Sequence, residues 1–340
     1  MLEQLPDVLP VHPHPFKDEL LSSWLIRLAH ANCLKVHTFC KAYLGKNREI
    51  WNRDIDVFAP EWLIVGLSKV SGASIEEIEQ TTIRSFQGIV FEKLYSKSKT
   101  PWVLPYGVYH RLRRLPGLQY CPMCLLMDEK PYFRKHWRLS FFTECDVHHT
   151  LMKDACFVCG SPVAFYRGDI GYKTEFSHHT ILQCHVCSSD LSKAPAIVYP
   201  WPCWQLAVGY QSLISTYWLG WSTAPMPQVM YSHLFLKMVH QLCTLLTTTT
   251  KKARLLLSEI EAELGLCSDN NVPPSHIVFD RRCINDRHRI LVVVAWMLMD
   301  WPLRLNFYIQ KWGVSKSLVL KDMHPPPYFY QNALYPPSEY

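Results

Sequence analysis

Cys121-Pro122-Met123-Cys124, Cys145-Asp146-Val147-His148, Cys156-Phe157-Val158-Cys159 and Cys184-His185-Val186-Cys187 are four half-sites of one pattern, two metal-binding side chains separated by two residues. A zinc ion takes four cysteine or histidine ligands at tetrahedral corners, and a two-residue gap brings two of them together in one tight knuckle. Four half-sites make two complete sites. Pairing in chain order gives Cys121, Cys124, Cys145 and His148 for the first site and Cys156, Cys159, Cys184 and Cys187 for the second. Crossed pairing is the alternative, as is His149 in place of His148. Each site is filled by protein ligands alone, so the spacing predicts two structural zinc ions with no open catalytic position.

Thirteen cysteines in 340 residues fit this reading in a reducing compartment, where paired cysteines read as metal ligands before disulfides. The opening Met1-Leu2-Glu3-Gln4 lacks the basic and apolar regions of a signal peptide, and the apolar run Ile290 to Met299 is shorter than a bilayer span. The expectation is a cytoplasmic protein without a membrane segment. Cys33, Cys40, Cys203, Cys243, Cys267 and Cys283 stand singly on helical patterns and read as core residues, whereas His12, His14, His178, His179 and His185 read as surface or loop histidines.

Outside the cysteine segment the pattern is helical, so the fold class is mainly α with small β zinc-ribbon segments. Three domains are expected: a helix-turn-helix-like domain over 1–114, a double zinc-binding segment over 115–202, and a helical domain over 203–340. Pro6, Pro10, Pro13 and Pro15 keep the start extended. Asp18 then reads as the N-cap of a helix to Ala31, and Val36 to Leu44 as a second helix. Glu61 to Val70, the turn Ser71-Gly72-Ala73 and a capping box opening Ile75 to Ile83 read as helix, glycine turn, helix. Val163 to Tyr166 and Ile181 to Gln183 resemble short strands. Later helices are expected at Cys203 to Trp218, His233 to Leu246, Ala253 to Leu264 and His288 to Met299. Thr247 to Lys252 reads as a linker, and the tail from His324 as irregular.

No catalytic motif stands out. Gly45-Lys46 lacks the upstream glycine of a P-loop, and neither Gly-x-Ser-x-Gly nor His-Glu-x-x-His occurs. An HNH-type nuclease also carries zinc knuckles, but Val147 separates Asp146 from His148 and no asparagine lies between His149 and Cys187. Binding features are plainer. The net charge is +6, and Arg111, Arg113, Arg114, Arg134, Lys135 and Arg138 beside Trp137 suit a nucleic-acid backbone; Arg281, Arg282, Arg287 and Arg289 form a further cluster. Glu76, Glu77 and Glu79 would repel phosphate, so that helix suits a protein partner instead.

Three stretches carry a family resemblance. Pro13-His14-Pro15-Phe16-Lys17-Asp18-Glu19-Leu20-Leu21-Ser22-Ser23-Trp24-Leu25-Ile26-Arg27-Leu28-Ala29 is similar to the opening of the TniQ family of transposon target-selection proteins, which includes the longer TnsD proteins, although Leu20-Leu21 stands where Ser-Leu is frequent. Tyr120 to Cys124, Trp137-Arg138, Cys145 to His148, Leu151 and Cys156 to Gly160 match that family's zinc segment, and Trp296 to Pro302 resembles a Trp-Pro helix of its longer members. The resemblance implies a non-catalytic adaptor that recognises a target and recruits an AAA+ ATPase, which in turn recruits the transposase. Its target is either a CRISPR effector ribonucleoprotein or attachment-site DNA; the chain's middling length favours the effector. A homodimer is possible by analogy. Trp24 and Arg27, together with Glu76 and Glu77, are the expected partner-binding residues.

Overall fold

The computed structural model describes residues 8–45, 50–95, 100–109, 112–222, 229–266, 277–321, 323 and 325–335. The chain gathers into two compact units, one built from 1–85, 104–139 and 147–197 and the other from 86–103, 140–146 and 198–340. The N-terminal helices and most of the cysteine segment, expected as separate domains, contribute to the same unit.

In the first unit, α1 (Leu21–Ala31) is buried on nearly every side: Leu21, Trp24, Leu25, Ile26, Leu28 and Ala29 all lie in the core. The helix begins three residues after the expected Asp18 cap. The amides of Leu20 and Leu21 donate to Phe133 O at 2.9 Å and Thr81 O at 3.0 Å, so distant carbonyls satisfy the helix start that a side chain was expected to cap. Asp18 instead accepts from the Tyr132 hydroxyl at 2.9 Å. Asn32 closes the far end by donating to Leu28 O at 2.9 Å and Val11 O at 2.7 Å.

After α2 (Val36–Tyr43) and the single turn α3 (Ile55–Phe58), the expected helix pair forms as α4 (Glu61–Ser71) and α5 (Ile75–Glu79). Gly72 adopts φ +72°, the left-handed C-cap, and its amide bonds Ser68 O. Ser74 caps α5 by accepting from Glu77 N at 3.1 Å. The second helix is shorter than expected, because the hydroxyls of Thr81 and Thr82 bond back to Ile78 O and Glu79 O at 2.6 and 2.7 Å and end it. A 3-10 turn, Ile83–Phe86, follows.

Strand is scarce among the described residues. β1 (Val108–Tyr109) and β2 (Leu112–Arg113) pair antiparallel in the first unit. The strand-like run at Val163 to Tyr166 runs into a 3-10 turn, Phe165–Arg167, and Ile181 to Gln183 is a turn with one bridge from Gln183 to Asp190. Their apolar residues are buried without a strand: Val163, Phe165, Tyr166 and Ile181 all lie in the interior, with Phe165 against Phe133 and Tyr166 stacked on Trp51. The unit's last helix, α6 (Pro122–Met127), starts inside the first knuckle.

The second unit is helical: α7 (Trp204–Leu219), α8 (Ser232–Leu246), α9 (Lys251–Glu263), α10 (Ile284–Leu298), α11 (Leu303–Lys311), α12 (Lys316–Val319) and α13 (Tyr328–Leu334), with β3 (Trp221–Ser222) and β4 (Met230–Tyr231) paired between α7 and α8. α10 is apolar on most of its surface, and Val292 and Ala295 pack with Leu206 of α7. Lys251 and Lys252 open α9 rather than closing a linker, and the tail folds into α13 because Tyr330 and Leu334, four residues apart, are both buried. Cys40 and Cys243 are core residues as expected, and Cys203 is half-buried; Cys33 and Cys283 are exposed, and Cys267 lies outside the described residues. No single described helix is long and apolar enough to cross a membrane.

Candidate metal centres and the surfaces around them

The eight expected ligands come together in chain order: Cys121, Cys124, Cys145 and His148 form one group and Cys156, Cys159, Cys184 and Cys187 the other, with ligand atoms in each group within 4.8 Å of one another. In the first, Cys121 is the N-cap residue of α6 and Pro122 its first helical residue, so the helix start holds Cys121 and Cys124 on one side. The Tyr120–Lys153 bridge, with amide–carbonyl distances of 2.8 and 2.9 Å, ties this knuckle to the chain beyond the second half-site. His148 presents Nδ1 to Cys121 Sγ at 3.6 Å and Cys124 Sγ at 3.3 Å, with Nε2 beside Met127 Sδ at 3.2 Å.

The second group is built from two copies of one turn. Gly160 N donates to Cys156 O and Ser188 N to Cys184 O, each at 2.9 Å; Cys156 N donates to Ser161 O and Cys184 N to Ser189 O, again each at 2.9 Å. The residue after each second ligand is left-handed, Gly160 at φ +70° and Ser188 at φ +59°. His149 occupies the same place after His148 at φ +50°, and it is exposed. The knuckle turn thus decides between the two histidines: the αL position carries its side chain away from the other ligands, and His148 is the one that joins the group.

The donor sets fit zinc. Tetrahedral corners about 2.3 Å from a central ion lie roughly 3.8 Å apart, and the Cys156–Cys187 and Cys159–Cys184 sulfurs are each 3.6 Å apart. Ser189, through its hydroxyl and its amide, holds the Cys187 thiol down to about 6, whereas burial pushes Cys184 up to about 12. A zinc ion bound there would hold all four as thiolates. Ser161 and Ser189 place their hydroxyls 3.3 and 3.2 Å from Cys159 and Cys187, able to donate to that charge.

The family model of TniQ matches residues 10–152, from the opening proline segment through the first cysteine group. Over that stretch the chain is similar to the TniQ family. A search of curated proteins finds no match. TniQ proteins act in selecting the target of transposition, and the family is generally non-catalytic.

The structure gives the TniQ opening a physical meaning. Glu19, fully buried, accepts from Phe16 N at 3.1 Å, from Ser23 Oγ at 3.0 Å and from Arg27 at 2.6 and 3.1 Å, while Arg27 also reaches His14 O at 2.7 Å and stacks over Phe16. Trp24 donates to Pro13 O at 2.8 Å and has no exposed surface. Ser23 Oγ accepts from Phe133 N at 3.0 Å, fastening the motif to the segment between the halves of the first metal group. Trp24 and Arg27, expected to meet a partner, are spent inside the unit. Desolvation raises the Glu19 carboxyl above its usual range despite Arg27. Glu76 is exposed, and Glu77 pairs with His14 at 2.9 Å.

The basic residues divide in the same way. Arg138 has no exposed surface: it bonds Asp54 at 3.0 and 2.6 Å, Asp56 at 3.2 Å and Leu104 O at 2.8 Å, and stacks on Tyr106. Arg134 forks onto Asp128 at 3.0 and 2.8 Å between Tyr132 and Trp137. Lys135 is buried on Gln80 O and Ser85 Oγ, and burial lowers it to about 8. Three of the six expected phosphate-binding residues are thus internal fasteners. Sequence reasoning missed this because the three lie in one short run beside Trp137, which reads equally as a patch or as a core turn. Arg114 is exposed; Arg111 and the Arg113 side chain lie outside the described residues. In the second unit Arg287 is likewise buried, donating to Ser140 O at 2.8 Å and Arg282 O at 3.0 Å.

Proposed function

We propose that this protein is a non-catalytic adaptor in transposition, linking a target-recognition complex to the AAA+ ATPase that brings the transposase. The observation that supports it best is that the TniQ opening and most of the metal-bearing segment share one unit, with four protein ligands available to each metal group. Two zinc ions bound in this way stabilise a shape and leave no position for an attacking water. An adaptor works through its surfaces, and the exposed charges of this unit include Glu76 and Glu79 on α5 and Arg114 after β2.

In this reading α5 meets the ATPase or a second copy of the chain. Arg114, with Arg111 and Arg113, faces nucleic acid or an RNA-guided effector, the effector being preferred over an attachment site. Complementary charge favours the right partner and repels the wrong one. Pull-downs across a salt series test it. Glu76→Lys with Glu79→Lys should weaken ATPase capture and spare the effector; Arg114→Ala should do the reverse. Capture of both partners at parental strength by both variants would refute the surface assignment, and DNA cleavage by the purified protein with magnesium or manganese would refute the adaptor.

A further inference from the structure

In the second unit, beyond the residues matched by the family model, an open cleft of about 520 Å³ is lined by Thr250, Lys252, Gly313, Ser315, Ser317, Leu318 and Lys321. We propose that this cleft holds the backbone phosphates of duplex DNA. The lining offers two ammonium groups and three hydroxyls and no carboxylate, which is a donor set for an anion whose oxygens only accept. Among the described residues neither Lys252 nor Lys321 pairs with an acid.

The cleft is also held in shape. Lys252 donates one proton to Gly313 O at 2.7 Å and keeps two for a ligand. Gly313 turns the chain at φ +57°, where a Cβ would meet Lys252 Nζ at 3.3 Å, so glycine serves both the turn and the approach of the lysine. Ser315 caps α12, and its hydroxyl lies 3.1 Å from that of Ser317 at the exposed rim.

Three features favour a polymer backbone over a small phosphorylated molecule. The cleft opens to solvent, its only apolar liner is Leu318, and no aromatic ring is present to stack a base. Duplex DNA is favoured by the frame, since α11, a turn containing Gly313, and α12 run as helix, glycine turn, helix, with Lys316, Ser317 and Lys321 exposed from the second element onward. α12 is a single turn long, so the surface contacts phosphates and does not read a base sequence.

The test is fluorescence anisotropy of the full chain with a labelled duplex of arbitrary sequence over a salt series. Each phosphate-bound lysine contributes about 0.9 to the slope of log K against log salt. Lys252→Gln with Lys321→Gln should therefore flatten the slope by about 2 and weaken binding at least tenfold in low salt. Lys321→Gln alone, at an exposed site without fold-supporting bonds, should flatten it by about 1 and guards against misfolding of the pair. Lys93→Gln, exposed in the same unit, should change nothing. An unchanged slope in Lys321→Gln overturns the proposal, as does a slope change seen with single-stranded or duplex RNA and not with duplex DNA. The assay contains no transposition component, so its outcome is separate from the adaptor reading.

Discussion

Arg138→Ala is the substitution whose outcome the buried network states most sharply. The guanidinium makes three bonds to Asp54 and Asp56 and one to Leu104 O. Asp56, itself fully buried, would keep the neutral donors Ser22 N at 2.8 Å, Ser22 Oγ at 3.0 Å and the Tyr106 hydroxyl at 3.0 Å but lose the guanidinium charge. Removing one partner of a buried pair costs about 3–5 kcal/mol, because the remaining charge stays in a medium that cannot solvate it. For a domain of this size that lowers Tm by about 10 °C. The triple change Arg138→Met, Asp54→Asn, Asp56→Asn removes charge from both sides and should recover most of the loss. Thermal unfolding followed by circular dichroism, beside nucleic-acid binding of the folded variant, measures both consequences. A variant with parental Tm and weakened nucleic-acid binding would refute the burial argument and return Arg138 to the surface role its sequence context suggested.

Other substitutions probe other parts of the account. His288, buried against Tyr199, Trp201 and Tyr210 and bonded to Thr143 at 2.8 Å, is lowered to about 3 by desolvation. The unfolded chain takes up that proton first, so stability is full above about pH 6.5 and falls toward pH 3; about 2 kcal/mol should be lost between pH 6.5 and 5, and urea unfolding of His288→Gln should show a shallower pH slope there. Arg27→Leu strands the buried Glu19 charge. Because the Glu19 carboxyl is raised in the folded state, protonation relieves the defect, and the deficit should be larger at pH 7 than at pH 5; equal deficits would mean that Glu19 is already neutral in the parent. Ser74→Ala removes the cap on α5 and should cost about 1 kcal/mol, read as faster amide exchange at Glu77.

The metal centres were the most legible part of the chain, because two-residue ligand gaps are local and their pairing in order needs no knowledge of the fold. The helices were legible wherever periodicity was strong. α7, α8 and α10 lie within a few residues of the expected ends, while α1 starts late because Phe133 O and Thr81 O, both distant in sequence, satisfy its first amides. The choice of His148 over His149 depended on an αL backbone that spacing does not encode. What local reading could not supply was the fate of charged residues: Arg27, Arg134 and Arg138 look like a surface, and only their long-range partners Glu19, Asp128, Asp54 and Asp56 reveal internal bonds. Of these, Glu19 sits inside the TniQ opening eight residues before Arg27, and its spacing at two helical turns was the one available signal of the pair.

Native mass spectrometry of the intact chain, purified with reducing agent and without chelator, tests the central claim most directly. Two zinc ions per chain are expected, with one lost in Cys121→Ser and one lost in Cys159→Ser, each loss accompanied by fast proteolysis of the knuckle concerned. A parental chain carrying less than one zinc, or one whose knuckle cysteines are joined as disulfides, would contradict it.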